Sequence, residues 1–128
     1  MKTKKHLLWL NQAKNDLQWA KHSLNGGYYS QVCFIAQQVG EKSLKALAYF
    51  NGADMVKGHS IVIIARELKI NGEIEKAGRS LDLYYMASRY PDALPDPIAP
   101  VDYFTQNEAE EAIVHAELIL KKVSDLVL

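Results

Sequence analysis

The stretch QQVGEKSLKAL, Gln37 to Leu47, packs two glutamines, a glutamate and two lysines into nine residues. Such side chains offer charge and hydrogen bonds, with Lys42 and Lys45 as cations and Gln37 and Gln38 as amides. At about 100° per residue these four and Glu41 share one half of a helix. Val32, Cys33, Ile35, Ala36, Val39, Gly40, Leu44, Ala46, Leu47 and Phe50 share the other. On a bare surface the polar half would be an ordinary wetted face, with Glu41 and Lys45 forming an i,i+4 pair worth about 0.3 kcal/mol. However, Phe34 and Tyr49 also fall in that half, and aromatic rings on both sides of a helix imply cover on both sides, from another helix or a partner subunit. Enclosed amides and charges need partners, because a buried unsatisfied group costs about 1 to 3 kcal/mol. His59, Arg89 and Asp92 are the candidate partners. Arg89 is the strongest candidate for ligand contact, and Tyr84, Tyr85 and Tyr90 around it could stack on a base or serve as core rings.

Five segments, punctuated by glycine and proline, must position these residues, and all five read as helical. In the first, Leu10, Ala13, Leu17, Ala20 and Leu24 recur at helical intervals up to the stop signal Asn25-Gly26-Gly27. The second runs from about Tyr28 to Phe50. A third, short segment opens at His59 or Ser60 and carries Ile61, Ile64, Ala65 and Leu68; its β-branched run would have no strand to pair with. The fourth spans Glu73 to about Tyr90, with Ile74, Ala77, Leu81, Tyr84, Tyr85 and Ser88 on one side, and Pro91 stops it. Pro91 to Phe104 holds all four prolines and reads as an extended connector. The last helix begins at Thr105, whose spacing to Glu108 matches a capping box, and Ala109, Ala112, Ile113, Ala116, Leu120 and Val123 form its seam. The expected fold is all-α, an antiparallel up-and-down bundle of four long helices and one short one, in a single domain over 1–128.

Composition narrows the function. With 48% hydrophobic residues the chain buries an ordinary core without staples. Fifteen basic and fifteen acidic residues cancel, which argues against the broad basic footprint of a general nucleic-acid binder. RNA is therefore not indicated as a partner. The lone Cys33 has no disulfide mate, and the apolar run near the start breaks too early for a leader or a span, so the expected setting is cytoplasmic with no membrane. No histidine has a partner at metal-ligand spacing, so neither a metal nor another cofactor is expected. The two-glycine turn at Gly26 lacks the lysine and hydroxyl of a phosphate-binding P-loop.

The run YSQVCFIAQQVGEKSLKALAYFNG, then GHSI at Gly58 to Ile61, then LDLYYMASRYPDALP at Leu81 to Pro95, resembles the HEPN family, the higher eukaryotes and prokaryotes nucleotide-binding domains. The resemblance covers nearly the whole chain, including Trp9, Ala13, Asp16, Leu17 and Ala20. It implies a bundle similar to the C-terminal domain of kanamycin nucleotidyltransferase, often a homodimer. It also implies pairing with a separate minimal nucleotidyltransferase, sometimes as toxin and antitoxin, and a role in nucleotide binding.

Several branches of the family are RNases that use an arginine and a histidine four to six residues apart. Metal-free RNA cleavage needs a proton acceptor and a cation, which these two side chains supply. Here the arginines are Arg66, Arg79 and Arg89 and the histidines His6, His22, His59 and His115, and no histidine follows an arginine at that spacing. No catalytic residue is therefore assigned, although His59 and Arg89 could meet in space. The expected ligand-binding set is Gln37, Gln38, Glu41, Lys42, Lys45, His59, Tyr85, Arg89 and Asp92. The alternatives are an RNase toxin with a rearranged Arg/His pair and a purely structural dimerisation domain.

Overall fold

A computed structural model of the chain describes residues 4–96 and 98–128; the first three residues of the basic start, and Pro97 of the connector, lie outside it. Among the described residues seven helices run in the order α1 (Lys5–Asn25), α2 (Tyr29–Phe50), α3 (Ile61–Glu67), α4 (Glu73–Asp82), α5 (Tyr84–Ala87), α6 (Pro100–Tyr103) and α7 (Gln106–Val127), with a 3-10 turn at Pro91–Ala93. No strand occurs among the described residues. The all-α bundle expected from the helical periods is therefore the fold, with α2 as its central rod: it packs against each of the other six helices.

The seams close as their spacing requires. Leu10, Ala13, Leu17 and Ala20 of α1, and Ala109, Ala112, Ile113, Ala116, Leu120 and Val123 of α7, are buried against Val32, Cys33, Ile35, Ala36, Val39 and Leu44 of α2 and its neighbours. Alanine at so many seam positions lets helix axes approach closely, so the core is built from short contacts as well as large side chains. Local chemistry sets the ends. Gly27 (φ +82°) and Gly52 (φ +99°) take the left-handed conformation after α1 and α2. Ser60 caps α3 by accepting from the Ile63 N–H, and Thr105 and Glu108 form the reciprocal capping box of α7.

Two expectations about element boundaries need correction. The fourth segment is not one long helix: the hydrogen-bonded pattern breaks at Leu83, an exposed residue that keeps helical dihedrals, so α4 and α5 are nearly continuous. The proline-rich stretch is not wholly extended. Pro91 opens the 3-10 turn and Pro100 opens α6, because a proline at the first helical position loses no hydrogen bond and already has the required φ. The connector is held down by its own buried Leu94, Pro100 and Phe104.

The position of α3 is fixed by two glycines. A β-carbon on Gly78 would lie 2.5 Å from Cγ2 of Ile61, and one on Gly40 would lie 2.7 Å from its Cδ1. Ile61 thus fills a slot between α2 and α4 that any larger residue would close. Replacing either glycine by alanine is expected to destabilise the fold by about 1 to 3 kcal/mol in urea titrations. Ile61→Val, which removes Cδ1 but keeps Cγ2, should recover part of the loss in Gly40→Ala and none of it in Gly78→Ala.

Burial also governs two ionisable groups facing this core. Desolvation, with a smaller contribution from the Glu108 charge, pushes the Cys33 thiol from 9.0 to about 12. Desolvation, followed by the charges of Cys33, Glu108 and Glu111, pushes the Tyr84 phenol from 10.0 to about 12. The unfolded chain ionises both groups first, so their contribution to stability is complete below about pH 8.5 and is lost as pH rises towards 12. Unfolding measured at pH 8 and at pH 10.5 is expected to show the lower stability at the higher pH, and a Cys33→Ala variant should show a smaller drop.

Candidate functional site

The polar half of α2 is enclosed by the chain itself. Gln37 is fully buried, and Glu41 and Lys45 are 3% and 7% exposed. Each finds partners, and among the described residues no buried side-chain nitrogen or oxygen lacks one. The Gln37 amide donates to the His59 carbonyl (2.7 Å) and to Asp82 Oδ1 (3.2 Å). Its oxygen accepts from Gln38 Nε2 at 2.8 Å, and that same amide reaches Glu41 at 3.4 Å. Glu41 is gripped by Lys45 Nζ at 3.0 Å, inside the protein and not on its surface as the i,i+4 spacing alone suggests.

Asp82 carries the most contacts. It accepts from Gln37, from Ser60 Oγ (2.9 Å), and from the backbone N–H groups of Ile61 (2.9 Å) and Val62 (3.0 Å). Those two donors belong to the first turn of α3, which no intrahelical carbonyl can satisfy. The sequence reading passes over Asp82. No signal in the sequence singles it out, because the fourth segment reads as one helix to about Tyr90 and leaves Asp82 in its middle.

This network presents His59. Its backbone is held by Gln37 and its Nδ1 lies 3.3 Å from Glu41, one helical turn along α2. The side chain is nevertheless 59% exposed. The imidazole stacks on Tyr85 with ring centroids 5.0 Å apart and 17° between planes. Arg89 lies against the same tyrosine, its Cζ 4.6 Å from that ring, 4.3 Å from Phe34 and 5.0 Å from Tyr90. The Arg89 Nε donates to the Tyr85 carbonyl at 2.9 Å. Among the described residues no carboxylate pairs with Arg89. His59, Tyr85 and Arg89 thus form an open shelf above the Gln37–Glu41–Asp82 network, and the histidine and arginine that sequence distance could not relate both pack against one ring.

Other expected members are placed differently. Lys42 is bound to Asp16 of α1, which also accepts from Gln12, so its charge is neutralised away from the shelf. Lys45 is neutralised by Glu41 and lies over the Trp9 ring at 5.4 Å. Asp92 stands exposed in the 3-10 turn and makes no side-chain hydrogen bond among the described residues, because the extended backbone at Tyr90 leads the chain away from α5. Of the three partners expected for the enclosed face, only His59 serves. Phe34 and Tyr49 are covered within the chain, Phe34 by Arg89 and Tyr49 by Trp9 (5.8 Å between ring centroids) and Lys5. Among the described residues no cluster of histidine, cysteine and carboxylates could hold a metal ion, and no helix is long and apolar enough to cross a membrane.

The bundle buries the Gln-Gln-x-x-Glu-Lys-x-x-Lys face of its central helix beneath a His-Ser-capped helix, with the Tyr-Tyr-x-x-x-Arg-Tyr-Pro-Asp segment beside it, so the three motifs that carry the family resemblance converge at one place. The chain belongs to the HEPN domain family, whose match extends over residues 6–126. It is 35% identical to TT1696 from Thermus thermophilus, whose crystal structure superposes with a TM-score of 0.89 over 96% of this chain and 98% of that one. An archaeal HEPN homologue, ST0689, is also 35% identical, with a TM-score of 0.80 over the full length of both chains. A HEPN domain protein from Thermotoga maritima is 34% identical, with a TM-score of 0.73 over 92% of this chain and 95% of that one. A protein of Methanocaldococcus jannaschii named "Putative toxin MJ1304" is 26% identical over 92% of this chain and 85% of its own length.

The buried Glu41–Lys45 pair yields a clear test. Lys45→Met strands a carboxylate in the interior and is expected to cost about 3 to 5 kcal/mol, whereas adding Glu41→Gln should return most of that loss. Urea unfolding of both variants measures it. The double variant also frees His59 Nδ1 from a carboxylate while the bundle stays folded.

Proposed function

We propose that this chain is a HEPN module that binds a nucleotide or phosphorylated small molecule at the His59–Tyr85–Arg89 shelf and presents it to a separate minimal nucleotidyltransferase, in a pair of toxin-antitoxin type. One observation carries the reading: an arginine free of any carboxylate among the described residues is held against three rings, next to a histidine whose Nδ1 is fixed by a buried glutamate. Such an arginine keeps its full charge for a ligand, and its stacking fixes the direction of the donors. The name of the M. jannaschii relative supports the toxin-antitoxin setting. In this reading the isolated chain binds without turnover, and the network beneath the shelf serves to hold it still.

A second reading draws on one feature of the same geometry. His59 with Nδ1 on Glu41 leaves Nε2 unpartnered among the described residues, with Arg89 against the same tyrosine ring, and a histidine and an arginine are the two side chains that metal-free RNA cleavage uses. The two readings separate in one set of measurements. Calorimetric titration with ATP is expected to show binding, and Arg89→Ala should weaken it by about tenfold or more. Incubation with RNA should leave the strand intact. Absence of binding by any nucleotide at millimolar concentration overturns the first reading; RNA cleavage that His59→Ala abolishes establishes the second in its place.

A further inference from the structure

We infer that the shelf recognises a single terminal phosphate and does not read the base, so that its ligand class is a phosphomonoester carried on any nucleoside or sugar. The inference rests on the binding reading above and narrows it.

Reading a base takes an aromatic face to stack on and in-plane donors or acceptors that match its edge. Apart from the outer side of Tyr90, the rings that could supply these are already committed. His59 stacks on Tyr85, and the guanidinium of Arg89 lies over the same ring. Tyr84 turns inward, edge-on to Phe104 with 5.6 Å between centroids. Phe34 lies under Arg89. The amides are spent as well: both ends of the buried Gln37 side chain are bonded within the protein, and Gln38 Nε2 is shared between Gln37 and Glu41.

What remains suits phosphate. Arg89 has its Nε tied to the Tyr85 carbonyl, and a terminal nitrogen makes only a long 3.7 Å approach to the Met86 sulfur, a weak acceptor. Its terminal nitrogens therefore have no oxygen acceptor among the described residues, and a guanidinium fork is the geometry that takes two oxygens of one phosphate. His59 Nε2 is the second group left over. Lys42 and Lys45 add no free charge, since Asp16 and Glu41 hold them. One permanent cation suits the roughly −1.5 to −2 of a terminal phosphate better than the larger charge of a triphosphate chain.

The test uses the intact chain and calorimetric titration with ribose 5-phosphate, AMP, UMP, ATP and adenosine. The expected result is that ribose 5-phosphate, AMP and UMP bind with Kd values within about threefold of one another, that ATP binds no tighter than AMP, and that adenosine does not bind. Arg89→Lys, which keeps the charge but loses the fork, should weaken all the phosphorylated ligands by about tenfold. AMP binding tenfold tighter than ribose 5-phosphate, with the preference lost in Tyr90→Ala, would show a base stacked on the outer side of Tyr90 and overturn the inference while leaving the binding reading in place. ATP binding tenfold tighter than AMP would likewise overturn the single-phosphate assignment. If none of the five binds, the binding reading itself falls.

Discussion

Asp82, the last residue of α4, faces the open first turn of α3, and the rest of the site follows from the donors it gathers there. Its two oxygens take the open N–H groups of α3, the hydroxyl that caps α3, and the amide of Gln37 from α2. Three elements are thereby joined at one partly buried charge. Each of the donors would lose water on burial, and each is repaid by a charge-assisted bond, so the arrangement is stable only as a set. His59 directly precedes the cap residue, and its backbone is therefore set by this junction before its side chain meets anything.

The electrostatics of the face follow the same logic. A helix with a glutamate and two lysines on one side looks like a generous source of charge, but the interior neutralises it: Glu41 with Lys45, and Lys42 with Asp16. The polar half of α2 is thus mainly scaffold, and the shelf above it is built from the loop before α3 and the end of α5. Exposure divides the same way, with Gln37 at 0% and the His59 side chain at 59%. The layer that does not touch solvent fixes the layer that does.

Much of this was legible in the sequence because its causes are local. Helical period assigned the seams of α1, α2 and α7; the glycine stops, the Ser60 cap and the Thr105–Glu108 box marked the ends. The presence of Phe34 and Tyr49 in the polar half signals the cover that Arg89, Trp9 and Lys5 provide on that side. What sequence could not supply was the identity of partners in space. Lys42 and Lys45 count as available cations until Asp16 and Glu41 are seen beside them, and Asp82 has no signature until α3 is set against it. The break at Leu83 and the short helix at Pro100 were missed for a different reason: a single non-bonded residue and a proline at a helix start both leave the apolar pattern unchanged.

The slot in which Ile61 sits has an implication for how such a chain can vary. Gly40 and Gly78 touch no ligand and carry no charge, yet together they act as a socket that sets where α3 begins, two residues beyond His59. Drift at either position would tilt the imidazole without altering a single polar atom. Evolutionary pressure exerted through the chemistry of the shelf should therefore fall on two apolar glycines in the interior as heavily as on the arginine at the rim.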